Sequence, residues 1–206
     1  WDSRGRPTVE AEIGLADGSF GLGIAPAGAS TGSREARELR DGGTAFQGRD
    51  VQQALTNIRG PIAQRIVGMS VDAQSAIDEV LIGCDSSPDK MHIGANATLA
   101  VSIACAQAAA SSNKLPLYAW LGPQRISRED DPAPWLIPLP QIQIFGGGAH
   151  AGRRVDIQDF MVTCPRAKSF AEALEWTAEV YAAAGRWMAA RGKLGGVADE
   201  GGWWPE

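Results

Sequence analysis

Cysteine, histidine and tyrosine are scarce in this sequence. Three cysteines (Cys84, Cys105, Cys164), two histidines (His92, His150) and two tyrosines serve 206 residues. The cysteines have no CxxC spacing and are odd in number, which excludes a complete disulfide framework and a cysteine-based zinc module. Buried, reduced thiols of a cytosolic protein are the expectation. No apolar run approaches the ~20 residues of a transmembrane helix, and no signal peptide opens the chain. A basic excess is also lacking. The formal net charge is −5 and the pI about 5.1, so no polybasic face points to nucleic acid or to a membrane surface. No internal repeat or low-complexity tract is found.

What remains is a globular composition, 44% hydrophobic and 21% charged. Residues 8–25 alternate with period two around Asp17-Gly18, the pattern of a β-hairpin. A small-residue loop follows at 27–32, and Ser33 is placed to cap a short helix over 34–39. Helical spacing recurs over 49–66 and 70–83. The stretch 96–112 is apolar nearly all round, which predicts a buried helix. Residues 123–135, polar and proline-bearing, form the best linker candidate. Beyond it, residues 141–145 lead into a glycine run at 146–148, a strand is expected at 156–162 and an amphipathic helix at 168–192, with Gly192 at its C-terminal cap. The resulting expectation is an α+β domain over 1–122, the linker, and the opening of an α/β domain over 136–206.

Single motifs are weak. The glycines at 146–148 beside His150 lack any nucleotide-binding spacing. Gln158 and Asp159 read equally well as solvated strand residues. Asp199-Glu200 ends a short apolar stretch (194–198), which is where barrel enzymes place catalytic groups. Taken in order, however, the motifs carry a resemblance. DSRGRPTVEAE at 2–12, PAGASTGSREARELRD at 26–41, IGANATLAVSIACAQAAA at 93–110, LPLYAWLG at 115–122, GGAHAGRRVDIQDFM at 147–161 and VADEGGWWP at 197–205 together resemble the enolase family. The match is colinear over nearly the whole chain.

The resemblance implies an α+β N-terminal domain followed by the start of a TIM-like α/β barrel, which is incomplete in this chain because residues 136–206 fall far short of the ~250 that a barrel takes. It implies Mg²⁺-dependent dehydration of 2-phosphoglycerate to phosphoenolpyruvate. In the superfamily a lysine or histidine base works with Mg²⁺ ions on the enediolate. By position, Glu200 matches the general acid on the leaving hydroxyl and Asp159 a carboxylate that works with it. Gln158 matches a substrate contact, His150 a loop histidine that closes over a small phosphorylated carboxylate, and Ser30 a ligand of the second Mg²⁺. Glu10 lies in the segment resembling a dimer-contacting hairpin, so a homodimer or an assembly of dimers is implied. The family's usual location is the cytoplasm; secondary cell-surface display is a family trait that no residue here marks.

Three features depart from the pattern. Asp159 stands where the family usually has glutamate. Gln143 and Gly146 replace common asparagines, and Trp203-Trp204 replaces a Phe-Ala pair. A paralogue acting on a related phospho- or phosphono-carboxylate is therefore an alternative, and a truncated, non-catalytic binding protein is another. The base lysine, the first-metal carboxylates and the phosphate-binding arginine match nothing in the sequence. Both ends look cut, and the polypeptide alone is expected to lack dehydratase activity.

Overall fold

A computed structural model describes residues 1–2, 4–28, 31–125 and 136–206. Two expectations therefore lie outside the described residues: the metal-ligand role of Ser30 and most of the 123–135 linker. The chain forms two compact units, Trp1–Asp130 and Asp131–Glu206.

The first unit is built on a hairpin of β1 (Val9–Gly14) and β2 (Phe20–Ala25), antiparallel with Glu10 opposite Ile24 and Glu12 opposite Leu22. Alternation sends Val9, Ala11 and Ala25 into the core and leaves Phe20, Leu22 and Ile24 exposed. Against the inner face lies α4 (Ala95–Ser112), an alanine-rich helix whose Ala97, Ala100, Ala104 and Ala108 are fully buried. The sequence pattern overstated its burial, since Leu99 and Ile103 stay exposed.

The periodic stretch 49–66 is helical but not uniform. It comprises α1 (Gln52–Asn57), a π-helical segment (Ile58–Ile62) and α2 (Ala63–Ile66). Pro61 sits inside the π segment; it has no N–H to give, and its ring crowds the carbonyl four residues back, so the helix widens there. Next come α3 (Gln74–Gly83) and, after α4, α5 (Leu117–Arg125).

No helix forms at 34–39, contrary to the capping expectation. Tertiary hydrogen bonds take the backbone instead. Arg37 N–H donates to the Asp89 carbonyl (2.6 Å) and Ala95 N–H donates to the Arg37 carbonyl (2.7 Å). The side chain of Asn96, 3% exposed, accepts from Leu39 N–H (3.0 Å) and donates to the Leu39 carbonyl (3.1 Å), as a neighbouring strand would. Asn96→Ala is expected to cost about 2–3 kcal/mol, because it strands two backbone groups at once. Chemical unfolding checks this, and a loss no larger than that of an exposed asparagine would contradict it.

Asp85 organises the loop before α4. Its carboxylate, on a residue 5% exposed, accepts from the Ser87 hydroxyl (2.6 Å) and from the N–H groups of Ser87 (2.8 Å), His92 (2.8 Å) and Ile93 (3.0 Å). The Ser87 hydroxyl foremost, then the three backbone donors, hold the carboxyl well below the usual carboxylate range against the opposing effect of burial. A depressed folded value adds stability above the unfolded pKa of about 3.9 and loses it as pH falls towards the folded value. Asp85→Asn is thus expected to be less stable than the parent near neutrality, with the gap narrowing below about pH 4. Urea midpoints taken across the acid range check this; a gap that stays constant would refute it.

Of the cysteines, only Cys105 is buried, whereas Cys84 and Cys164 are partly exposed. Burial, with a smaller push from the Asp78 carboxylate, raises the Cys105 thiol to about 11. Among the described residues no helix is long and apolar enough to cross a membrane.

The second unit holds a four-stranded sheet in the order β4 (Asp159–Val162), β3 (Ile142–Gly146), β6 (Trp203–Pro205), β5 (Leu194–Val197). β3 is antiparallel to β4 and parallel to β6, and β5 is antiparallel to β6. The sheet is open and the described strands close no barrel. Helix α6 (Phe170–Ala189) starts at Ser169, whose hydroxyl accepts from Glu172 N–H (3.1 Å). It ends with Gly192 N–H on the Ala189 carbonyl and Lys193 N–H on the Met188 carbonyl, both at 3.0 Å. This is a Schellman closure with Gly192 left-handed, as the sequence implied.

Candidate functional site

The strand directions bring one end of each strand to a common edge of the sheet. The last residues of β3, the first of β4 and β6 and the last of β5 meet through the pairs Gly146–Asp159, Phe145–Trp203 and Val197–Trp203. Polar residues gather along this edge. Asp159 opens β4. Asp199 and Glu200 occupy the turn from β5 to β6, closed by Ala198 N–H on the Gly202 carbonyl (2.8 Å) and by Gly201 N–H on the Ala198 carbonyl (2.9 Å). His150 lies in a short 3₁₀ turn (Gly148–Ala151) just after β3.

Close approach at this edge depends on glycine. A Cβ on Gly146 would stand 2.5 Å from the Ala198 Cβ, and one on Gly202 would stand 2.5 Å from both Gly146 N and Gln143 Oε1. Any side chain at 146 would push β3 away from the turn that carries Glu200. The departure noted at Gly146 thus has a local structural cause.

Three of the expected residues come together. The His150 side chain is 4% exposed, with Nε2 3.7 Å from Glu200 Oε1 and Nδ1 3.8 Å from Asp199 Oδ2. These separations exceed hydrogen-bond length, and Nε2 is buried without a partner. Asp159 and Glu200 both accept from the side-chain amide of Gln143, Glu200 at 3.0 Å. Gln158 is exposed, and its carbonyl accepts from Gly147 N–H (2.7 Å). It lies in the bend just before β4, outside the strand. Ser30 is not among the described residues.

Two contributors were not among the expected site residues. Gln143 appeared in the sequence only as a replacement, although the alternation Gln141-Ile142-Gln143-Ile144 marks one polar strand face. A β-bulge between Gln143 and Phe145 leaves Gln143 opposite Met161 and hence on the same face as Asp159. Tyr181 of α6 donates its hydroxyl to the Gly201 carbonyl (2.8 Å) and stacks on Trp203 (4.6 Å between centroids), whose indole N–H donates to the Tyr181 carbonyl (2.9 Å). Trp204 lies under the Arg154 guanidinium at 4.6 Å. The tryptophan pair thus anchors the turn to the helix and to the loop after His150.

The open cleft over this face is lined by Gln141, Gln143, Asp159, Met161, Tyr181 and Glu200, together with Ile142 and Gly201. Among the described residues, no lysine or arginine lines it. Among the described residues no group of three or more His, Cys, Asp or Glu side chains could hold a metal ion. The described residues therefore do not by themselves compose a Mg²⁺ site.

Two family models match the sequence. One is the enolase N-terminal domain over residues 1–121, and the other the enolase C-terminal TIM barrel domain over residues 134–206. The first alone covers more than half of the chain, and with the hairpin-and-helix unit and the carboxylate-lined sheet edge in place, the chain belongs to the enolase family.

Proposed function

We propose that this sequence supplies the acid-side half of an enolase-type site, acting in the dehydration of 2-phosphoglycerate to phosphoenolpyruvate. The observation that carries the reading is the meeting of His150, Asp159 and Glu200 at one sheet edge from three separate segments. Departure of a hydroxide needs a proton donor at the leaving oxygen. Glu200, at the tip of the turn and 38% exposed along its side chain, takes that role, with Asp159 beside it. The Nε2 of His150 is buried without a hydrogen-bond partner and stands 3.7 Å from the same carboxyl group; the family pattern assigns it the loop contact to substrate. Gln158 and Ser30 keep the roles implied by the family pattern, a substrate contact and a ligand of the second Mg²⁺.

The family is generally Mg²⁺-dependent, but the described residues offer no metal cluster, so no step is assigned to the ion. The domain division is 1–122, linker 123–135 and 136–206, and the junction of the two compact units falls inside that linker. A cytoplasmic, dimeric protein fits the family pattern.

Among the described residues, the cleft has no cationic side chain to act as base or to hold a phosphate. The 206-residue polypeptide alone is therefore expected to release no phosphoenolpyruvate and to exchange no α-proton of 2-phosphoglycerate into D₂O. NMR of the substrate checks both, and turnover by a polypeptide of verified mass would overturn the assignment of only half a site. A panel of phospho- and phosphono-carboxylates presented to the natural polypeptide that carries this sequence tests the substrate. Preference for a phosphono-carboxylate would favour the paralogue, and no reaction with any member would favour a binding protein.

A further inference from the structure

The amide of Gln143 commits both of its N–H donors and one carbonyl lone pair within the site. Gly202 N–H donates to Oε1 at 2.8 Å, while Nε2 donates to Asp159 and, at 3.0 Å, to Glu200. A backbone N–H can only donate, so the Gly202 bond identifies Oε1 and turns both Nε2 protons towards the carboxylates. Among the described residues, Gln143 is the sole hydrogen-bond partner of either carboxyl group. The three groups come from separate places in the chain: Gln143 from β3, Asp159 from β4 and Glu200 from the β5–β6 turn.

We infer that Gln143 is a positioning residue which holds the Asp159 and Glu200 carboxyl groups side by side at a fixed separation. The inference rests on the function proposed above. Two carboxylates on separate segments repel each other when both are ionised, and a neutral donor set between them offsets that repulsion. The same amide fastens the turn through Gly202, while Tyr181 holds the adjacent Gly201 carbonyl. Glu200 is thereby tied at both its side chain and its turn, and Asp159 is tied to it through a single planar group.

Two substitutions separate positioning from packing. Gln143→Met keeps length without polarity. Gln143→Glu keeps shape and the acceptor for Gly202 but replaces both donors with a third carboxyl group. In the natural polypeptide both are expected to lower kcat by about 10- to 100-fold, the range that a misplacement of about 1 Å produces. KM is expected to change little, because Gln143 acts through the carboxyl groups. The side-chain carboxyl ¹³C resonance of Glu200 is recorded on the same proteins and is expected to move in both variants. A Glu200 resonance unmoved in both variants, or a lowered thermal midpoint with kcat intact, would overturn the inference. If the parent protein turns over no member of the substrate panel, the functional proposal fails. The Glu200 resonance alone then decides whether Gln143 bridges the pair.

Discussion

Gly23→Ala is expected to destabilise the N-terminal unit by about 3 kcal/mol, at the upper end of what overpacking costs. A Cβ at this position would stand 2.0 Å from the Ala100 carbonyl oxygen and 2.6 Å from Ala104 N. Both are backbone atoms of α4, so no side-chain rotation can relieve the clash. Either the helix must lift from β2 or the strand must bend, and each response opens the alanine-lined contact in which Ala97, Ala100 and Ala104 are fully buried. Gly21 faces the same surface one alternation earlier, where a Cβ would stand 2.2 Å from Ala108 N, so the strand offers α4 a glycine groove. Gly14 is the control. A Cβ there meets nothing within 4 Å, and Gly14→Ala is expected to be neutral or to gain a few tenths of a kcal/mol through the unfolded chain. Urea unfolding of the three proteins decides the matter. Equal midpoints for the alanine variants at 23 and 14 would show that the helix does not pack as closely as described.

The second large effect concerns chemistry. In the natural polypeptide, Glu200→Gln is expected to slow formation of the unsaturated product by about 10²- to 10⁴-fold, the usual contribution of a general acid. Exchange of the substrate's α-proton with solvent is expected to persist, because the assigned role begins only when the hydroxide leaves. Glutamine keeps the volume of the side chain, which sits at the tip of a turn held by Tyr181 and Gln143, so folding is not at issue. Measuring exchange and elimination on one sample separates the roles. Parallel loss of both rates would move Glu200 to the proton-abstraction step, and loss of neither would remove it from the mechanism.

Much of this architecture was legible in local pattern. The period-two alternation around Asp17-Gly18 gave the hairpin, because each residue's face in a strand follows from its parity. The stretches at 96–112 and 168–192 gave α4 and α6, and Gly192 marked where the latter closes. The ordered motifs pointed to the enolase family, and with it to His150, Asp159 and Glu200. Each of these signals is a short-range property of the chain: a spacing, a turn residue or a run of neighbouring side chains.

Only the tertiary structure decided the rest. Ser33 has the chemistry of a helix cap, yet 34–39 is not helical because Asn96, 57 residues away from Leu39, satisfies that residue's backbone as a strand would. The helical spacing at 49–66 corresponds to helix over 52–66, but Pro61 forces a π segment that spacing does not reveal. Gly146 and Gln143 looked like bare replacements in the sequence. Folding sets Gly146 against Ala198, and it sets the Gln143 amide between Asp159, 16 residues on, and Glu200, 57 residues on. The sequence by itself determined the hairpin, the helices α3, α4 and α6 and the family to which the chain belongs. Which backbone groups are paired, and which carboxyl groups share a donor, depended on contacts between distant segments that exist only once the chain has folded.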